Sequence, residues 1–289
     1  MINRLLSYLV TSPQYLLPQH FLSQLISYAT QMRWPPGKNF LIRQFIRYYQ
    51  IDLNAAIDSD INSYPNFRSF FTRRLRPELR PMAPVPNGVI SPVDGKISAI
   101  GTISRQMIIQ AKGQYYSIEK LLGGNSNLAE QFFAGDFITL YLAPRDYHRV
   151  HIPVTGRLRQ MIYIPGWLFS VNRHAVQVIP ELFVRNERVV TIFDTDFGLM
   201  AIILIGALFV GSIETSWMGI VTPGKKRSPQ TWTYPKVNSV ILEKGAEVGC
   251  FNMGSTVIIL FSAGSISWEK NLVPERDVQM GELIGTYYG

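Results

Sequence analysis

The chain has 289 residues, 47% of them apolar and 17% charged, with a formal net charge of +8. That length holds one large domain, or one domain with a helical annex, and the composition excludes a disordered chain. The single cysteine, Cys250, excludes an internal disulfide and a cysteine-based zinc site; it reads as a small buried residue.

The positive charge is concentrated at the start. Residues 1–50 carry Arg4, Arg33, Lys38, Arg43 and Arg47 and no acid, which makes +5, and the first 82 residues reach +6. A basic segment of this kind suits nucleic acid or an anionic membrane surface, and no nucleic-acid motif accompanies it. After Arg4 the apolar run is interrupted by Ser7 and stops at Thr11-Ser12-Pro13 without a small-residue cleavage site, so no secretory signal is expected. No stretch reaches the roughly 18 to 20 apolar residues of a bilayer span. The longest, Leu199–Val210, contains Gly206 and reads as buried strand.

Taken in order, residues 1–50 are expected to be helical. Pro13 and Pro18 break the pattern early. Leu17, Phe21, Leu25 and Tyr28 then recur at helical spacing, and after Trp34-Pro35-Pro36-Gly37 so do Leu41, Phe45 and Tyr48. These helices either pack on the body or lie in a membrane surface, with apolar residues at the acyl boundary and arginines among the head groups. Asp52–Tyr64 is expected to be helical. From about Val85 the pattern changes to short strands separated by Gly, Pro, Asn and Asp: Gly88–Ser91, Lys96–Ile103, Gln106–Ala111, Phe137–Leu142, Gly156–Tyr163, Arg188–Phe193, Met200–Phe209, Val237–Leu242 and Thr256–Phe261. Ser117 and Ser126 are expected to cap two short helices. The fold class is therefore α+β: an N-terminal helical region, 1–50, then a β-rich body of mostly antiparallel strands, 51–289.

Three stretches supply the parts of a reactive serine. Gly254-Ser255-Thr256 opens an apolar run, Ser91-Pro92-Val93-Asp94-Gly95 puts a carboxylate on a turn, and Tyr147-His148-Arg149-Val150-His151 brings two imidazoles. A serine hydroxyl becomes a nucleophile when a neighbouring base takes its proton, and a histidine held by a carboxylate is the usual base. On a continuous strand His148 and His151 would face opposite ways, so one site for both requires a turn or bulge. His20 and His174 are expected to be structural or superficial. Leu168-Phe169-Ser170-Val171-Asn172 reads as an apolar loop, and Gly123-Gly124 as a turn.

With Phe70-Phe71-Thr72-Arg73, Leu168–Asn172 and Asn186-Glu187-Arg188, these segments fall in one order over nearly the whole chain, and the sequence resembles the phosphatidylserine decarboxylases. That family makes a pyruvoyl cofactor by cutting its own chain. One departure is Met253, where bacterial and mitochondrial members usually have Leu, a nearly volume-conserving exchange. The resemblance implies cleavage between Gly254 and Ser255 into chains 1–254 and 255–289 that stay associated. Ser255 becomes the pyruvoyl group, and no metal is needed. Asp94 orients His151 as the self-cleavage base, and His148 is the proton donor in decarboxylation. Phe169, Ser170, Val171 and Asn172 contact the substrate. That substrate would be phosphatidylserine, decarboxylated to phosphatidylethanolamine through a Schiff base. The enzyme would sit peripherally on the cytoplasmic side of the inner membrane, against anionic lipid, and a homodimer is compatible with this. A pyruvoyl decarboxylase of a soluble amino acid, a serine hydrolase keeping Ser255 intact and a non-catalytic membrane-surface protein are the competing readings; the missing Gly-x-Ser-x-Gly elbow speaks against the hydrolase.

Overall fold

The computed structural model describes every residue except 1–3, 112, 209–211, 223–227, 238, 253–254 and 289. The expected α+β arrangement is present. Three helices, α1 (Arg4–Thr11), α2 (Gln19–Thr30) and α3 (Pro35–Tyr49), precede a short helix, α4 (Phe67–Phe71), and a body of antiparallel sheets follows.

The main sheet holds nine strands among the described residues. Across it lie Gln230–Thr233, Gly156–Ile164, Arg188–Thr195, Gly198–Ile205, Ser255–Phe261, Asp136–Leu142, Gly95–Thr102 and Asp277–Val278, with Ile241–Leu242 also on the Gly156–Ile164 strand. Ser255–Phe261 is central. It pairs in register with Asp136–Leu142 on one side and with Met200–Ile205 on the other, and all seven of its residues are buried. Its sequence explains the position: a continuous β-branched and apolar run suits a strand covered on both faces. Each large side chain so buried contributes about 1.5–3 kcal/mol. A second sheet orders Gly219–Ile220, Ile213–Thr215, Glu247–Phe251 and Arg149–His151, and brings the His-containing segment beside the strand that leads toward Ser255.

The N-terminal region has two parts. Helix α3 shares a small core with α4: Ile42 packs with Tyr64, Phe67, Phe70 and Phe71, and Phe45 meets Phe67 edge-on at 5.1 Å. Helices α1 and α2 behave differently. Their buried residues are polar, Ser7 and Thr11 in α1, Gln19 and Ser23 in α2, with Gln14 between them. The stripe Leu17, Phe21, Leu25 and Tyr28 lies outside, as do Leu5, Leu9, Leu16 and Trp34; Leu16 is 89% exposed and Tyr28 86%. No helix among the described residues is long and apolar enough to cross a membrane.

Some expectations require correction. Asp52–Tyr64 is not a helix; only Leu53–Ala55 forms a 3-10 turn. Asp52 accepts a hydrogen bond from the Asn54 amide and Asp60 from the Asn62 amide, both at 2.9 Å. Such short polar side chains bond their own backbone in competition with a helix. Ser126 does not cap its helix; Asn125 does, accepting from the Leu128 amide at 3.0 Å. Of Val237–Leu242, only Ile241–Leu242 is strand among the described residues. Phe209 lies outside them.

Candidate active site

The C-terminal end of the strand Asp136–Leu142 collects three of the expected site residues, Ser255, Asp94 and His148. Ser255 pairs with Leu142 on one side of this strand. On the other side Lys96 pairs with Tyr141, which places Asp94 and Gly95 next to the same end. A Cβ on Gly95 would lie 2.6 Å from the Tyr141 carbonyl oxygen, so this close approach needs glycine. The turn that follows Leu142 leads to His148, and the His148 carbonyl accepts from the Phe251 amide at 3.0 Å. Gly254 and the bond joining it to Ser255 lie outside the described residues, as does Met253.

The Ser255 Oγ is fully buried and makes no hydrogen bond among the described residues, and neither does the Thr256 hydroxyl. Burying a hydroxyl without a partner costs about 1–3 kcal/mol, a cost a fold keeps where the group has chemistry to perform.

The two histidines occupy different settings. The His148 ring is fully buried and stacks on Phe71 with centroids 4.1 Å apart. Neither ring nitrogen completes a hydrogen bond among the described residues. Burial and then the nearby Arg73 charge push its pKa down to about 3, while the adjacent Ala143 and Pro144 backbone groups oppose this. His148 is therefore a neutral imidazole at neutral pH, beside the turn that also carries the Ser255 partner strand. His151 is engaged at both nitrogens: Nδ1 contacts the Gly245 carbonyl at 2.7 Å and Nε2 the Tyr147 hydroxyl at 3.0 Å. Burial lowers its pKa and the Gly245 contact opposes that. His151 pairs across from Glu247, the far end of the strand whose other end is Phe251. Three residues of chain separate the two histidines, which limits their Cα separation to about 10–11 Å.

Asp94 is held by Arg80. The guanidinium donates from Nε to Oδ1 at 2.8 Å and from Nη2 to Oδ2 at 2.6 Å, and the Met280 amide donates to Oδ1 at 2.9 Å. The expected Asp94–His151 pair is thus replaced here by a fork to arginine, although the Asp94 loop does touch the His151 backbone, whose amide donates to the Pro92 carbonyl at 2.9 Å. Two further charged groups sit at this end. Arg73 is buried over the Phe70 ring, with Nη2 on the Arg145 carbonyl at 3.1 Å and Nε and Nη1 unpartnered among the described residues; burial lowers its pKa. Asp146 accepts from the Ala143 amide at 2.7 Å, and burial raises its pKa to about 6.

The loop Leu168–Asn172 borders this end. Ser170, Val171 and Asn172 line a cavity of about 360 Å³ with Phe45, Phe71 and Tyr141. Tyr141 and Val171 also line a second, charged cavity of about 390 Å³ that includes Lys96, Arg145 and Asp146. Phe169 instead packs on Tyr15 and Trp167. Arg80, Arg73 and Asp146 were not singled out as site residues from sequence; the Arg-Pro steps at 76 and 80 and the Arg-Asp step at 145 were the available signals. No cluster of metal-ligating residues exists among the described residues.

A family model described as phosphatidylserine decarboxylase matches residues 67–286, and a second, described as PSD, matches residues 9–50. The chain is 46% identical over 274 residues to a phosphatidylserine decarboxylase proenzyme of Azotobacter vinelandii, covering 94% of this chain and 96% of that protein. It is 47% identical to the proenzyme of that name from Pseudomonas fluorescens, covering 94% and 95%, and 49% identical to that of Pseudomonas aeruginosa, covering 94% of each.

Proposed function

Because this chain belongs to the phosphatidylserine decarboxylase family, and is a decarboxylase made as a proenzyme, we propose that it converts phosphatidylserine to phosphatidylethanolamine with a pyruvoyl group formed from Ser255. The Ser255 hydroxyl, buried and without a partner among the described residues at the mouth of the central strand, carries this reading. In self-cleavage the Ser255 oxygen attacks the Gly254 carbonyl carbon, the peptide nitrogen leaves, and an ester joins the two residues. Elimination breaks the ester, giving a carboxylate at Gly254 and dehydroalanine at 255, which water converts to pyruvoyl and ammonia. When present, the pyruvoyl ketone supplies an electron sink for the bond to the departing carbon dioxide.

The chain's own residues then have defined tasks. Asp94 and His151 form the expected self-cleavage base, and His148 returns a proton to the substrate carbon. A second reading rests on the geometry: His148, neutral and without a hydrogen bond among the described residues beside the Ala143–Pro144 turn, takes the Ser255 proton as well. In that reading Asp94 acts through Arg80 and the fold of the loop rather than through an imidazole. The residues fit the covalent group: the Ser255 oxygen would leave with the Gly254 carboxylate, and the buried Thr256 hydroxyl, without a partner among the described residues, would remain beside the group. Ser170, Val171 and Asn172 contact the lipid, supported by their place on the cavity wall.

The enzyme attaches peripherally to anionic bilayer through its N-terminal helices. The exposed apolar faces of α1 and α2 and the unbalanced positive charge of residues 1–50 support this. An intact-mass spectrum tests the chemistry. Wild-type protein should consist of residues 1–254 and 255–289, the latter with a blocked N-terminus. Protein that remains wholly full-length and still decarboxylates lipid would end the reading. A pyruvoyl enzyme for a soluble amino acid would cleave in the same way but ignore vesicles.

A further inference from the structure

Two buried glutamines, Gln14 in the turn between α1 and α2 and Gln19 in α2, meet one target. The Gln19 Oε1 accepts from the Leu168 amide at 2.7 Å, and the Gln14 Oε1 accepts from the Ser170 amide at 2.8 Å. Gln19 also donates to the Gln14 carbonyl at 2.8 Å, which ties the two glutamines together. On either side, His20 Nε2 meets the Gly166 carbonyl and Ser7 Oγ meets His174 Nδ1, each at 3.0 Å. From below, Asn186 receives the Phe169 amide at 3.1 Å and donates to the Phe169 carbonyl at 2.8 Å. The loop is therefore held on alternate residues from two sides: Leu168 and Ser170 from the N-terminal helices, Phe169 from the body.

This arrangement separates the two faces of one short segment by task. Its outer face is apolar and exposed; its inner face supplies the acceptors that two loop amides would otherwise lack. We propose that Gln14 and Gln19 are positioning residues for the loop 166–172, so that seating α1 and α2 in an anionic bilayer firms the wall of the substrate cavity. The inference rests on the reading of Ser170–Asn172 as substrate contacts. Bilayer binding restricts the helices, the glutamines transmit that restriction to the Leu168 and Ser170 amides, and the cavity wall at Ser170 and Val171 becomes fixed. Lipid presented in a membrane then meets an ordered site, and the same lipid met by an unseated enzyme does not.

The test uses the full chain. The double variant Gln14→Leu/Gln19→Leu keeps side-chain bulk and the apolar outer face while removing both acceptors. It should self-cleave and co-sediment with phosphatidylglycerol vesicles as wild type does. Amide hydrogen exchange over residues 166–172 should speed up, and phosphatidylserine turnover should fall on the order of tenfold, the scale of two lost hydrogen bonds to buried amides. Gln14→Glu, which keeps the acceptor, should restore more of that turnover than Gln14→Leu. Unchanged exchange in the double variant would overturn the clamp and leave the loop's substrate role standing. Faster exchange with unchanged turnover would overturn that substrate role, and the proposal with it. If the double variant does not cleave, wild-type protein decides: adding the vesicles must slow exchange at 166–172, and no slowing overturns the proposal.

Discussion

The central strand and the N-terminal helices bury their residues by opposite rules. Ser255–Phe261 is apolar after its first two positions and is covered on both sides. Helices α1 and α2 hide Ser7, Thr11, Gln19 and Ser23 and expose leucines and aromatics. In the strand, water is the poorer solvent for the side chains and the protein interior is the better one. In the helices the polar stripe bonds to protein, and the apolar stripe has no protein to cover it. One chain thus carries a body that excludes water and, in the proposed reading, an appendage suited to lipid, hydrogen-bonded to the loop that lines the cavity.

The largest effects should come from the reactive end of the sheet. Ser255→Ala should stay a single chain and be inactive. If His148 is the base, as in the second reading, His148→Ala should slow cleavage by about 10²–10⁴, the usual range for a lost general base, and intact-mass time courses will measure it; if it serves only decarboxylation, cleavage should be unchanged and turnover lost. His151→Ala and Asp94→Asn should impair cleavage if the Asp94–His151 pair is the base; normal rates in both would assign that role to His148.

Next is the packing contrast. Ile258→Ala should cost about 2–5 kcal/mol, because it opens a cavity in a strand flanked on both edges, whereas Leu16→Ala should stay within about 0.5 kcal/mol while weakening vesicle binding. Equal losses on thermal or chemical unfolding would erase the distinction between the two regions. Deletion of residues 1–34 should leave self-cleavage intact and reduce turnover of bilayer phosphatidylserine more than about tenfold, and less so for a dispersed short-chain analogue. Full bilayer activity in the truncated protein would make these helices simple packing elements.

The smallest effect is a pH dependence. The His148 pKa is depressed in the folded state, from 6.5 to about 3, so the unfolded chain binds the extra proton first. The stability it contributes is complete above about pH 6.5 and is lost as pH falls toward 3. His148→Phe, which keeps the stack on Phe71, should flatten that part of the stability profile. Asp146 has the opposite sign: its raised pKa contributes stability at low pH that is lost as pH rises through about 6. An unaltered acid slope in His148→Phe would show that other groups set it.

Periodicity made most of the body legible. The expected strands Lys96–Ile103, Phe137–Leu142, Gly156–Tyr163 and Thr256–Phe261 are shifted by about one residue, because their β-branched runs and glycine boundaries are local signals. The stripe Leu17, Phe21, Leu25 and Tyr28, of which α2 takes all but Leu17, also predicted a helix, but spacing tells which residues share a face and not what that face meets. Gln14 and Gln19 gave no warning, since an amide that bonds a loop over a hundred residues away has no local signature. The same applies to Arg80: its carboxylate partner Asp94 was legible as a turn residue, and the fork between them needs the tertiary fold. His148 and His151 were expected to serve one site; His151 is fixed by the pairing of the strand Arg149–His151 with Glu247–Cys250, and His148 precedes that strand.

If the chain is cut as proposed, the position of Ser255 inside the sheet has a consequence for the life of the mature enzyme. Chain 255–289 would contribute Ser255–Phe261 to the middle of the main sheet, Asp277–Val278 to its edge, and Ile266–Trp268 and Leu283–Tyr287 to a third sheet with Gly88–Ile90. Each of these strands was threaded while the polypeptide was continuous. Once cut, the shorter piece is interleaved with its former partner and can leave only if Ser255–Phe261 parts from both its neighbours, Asp277–Val278 from Gly95–Lys96, and Leu283–Tyr287 from Gly88–Ile90. Folding is unimolecular before the cut and an encounter of two chains after it. A mature molecule that unfolds in dilute solution should therefore fail to regain its form, and its durability is governed by the rate at which the sheet opens rather than by an equilibrium.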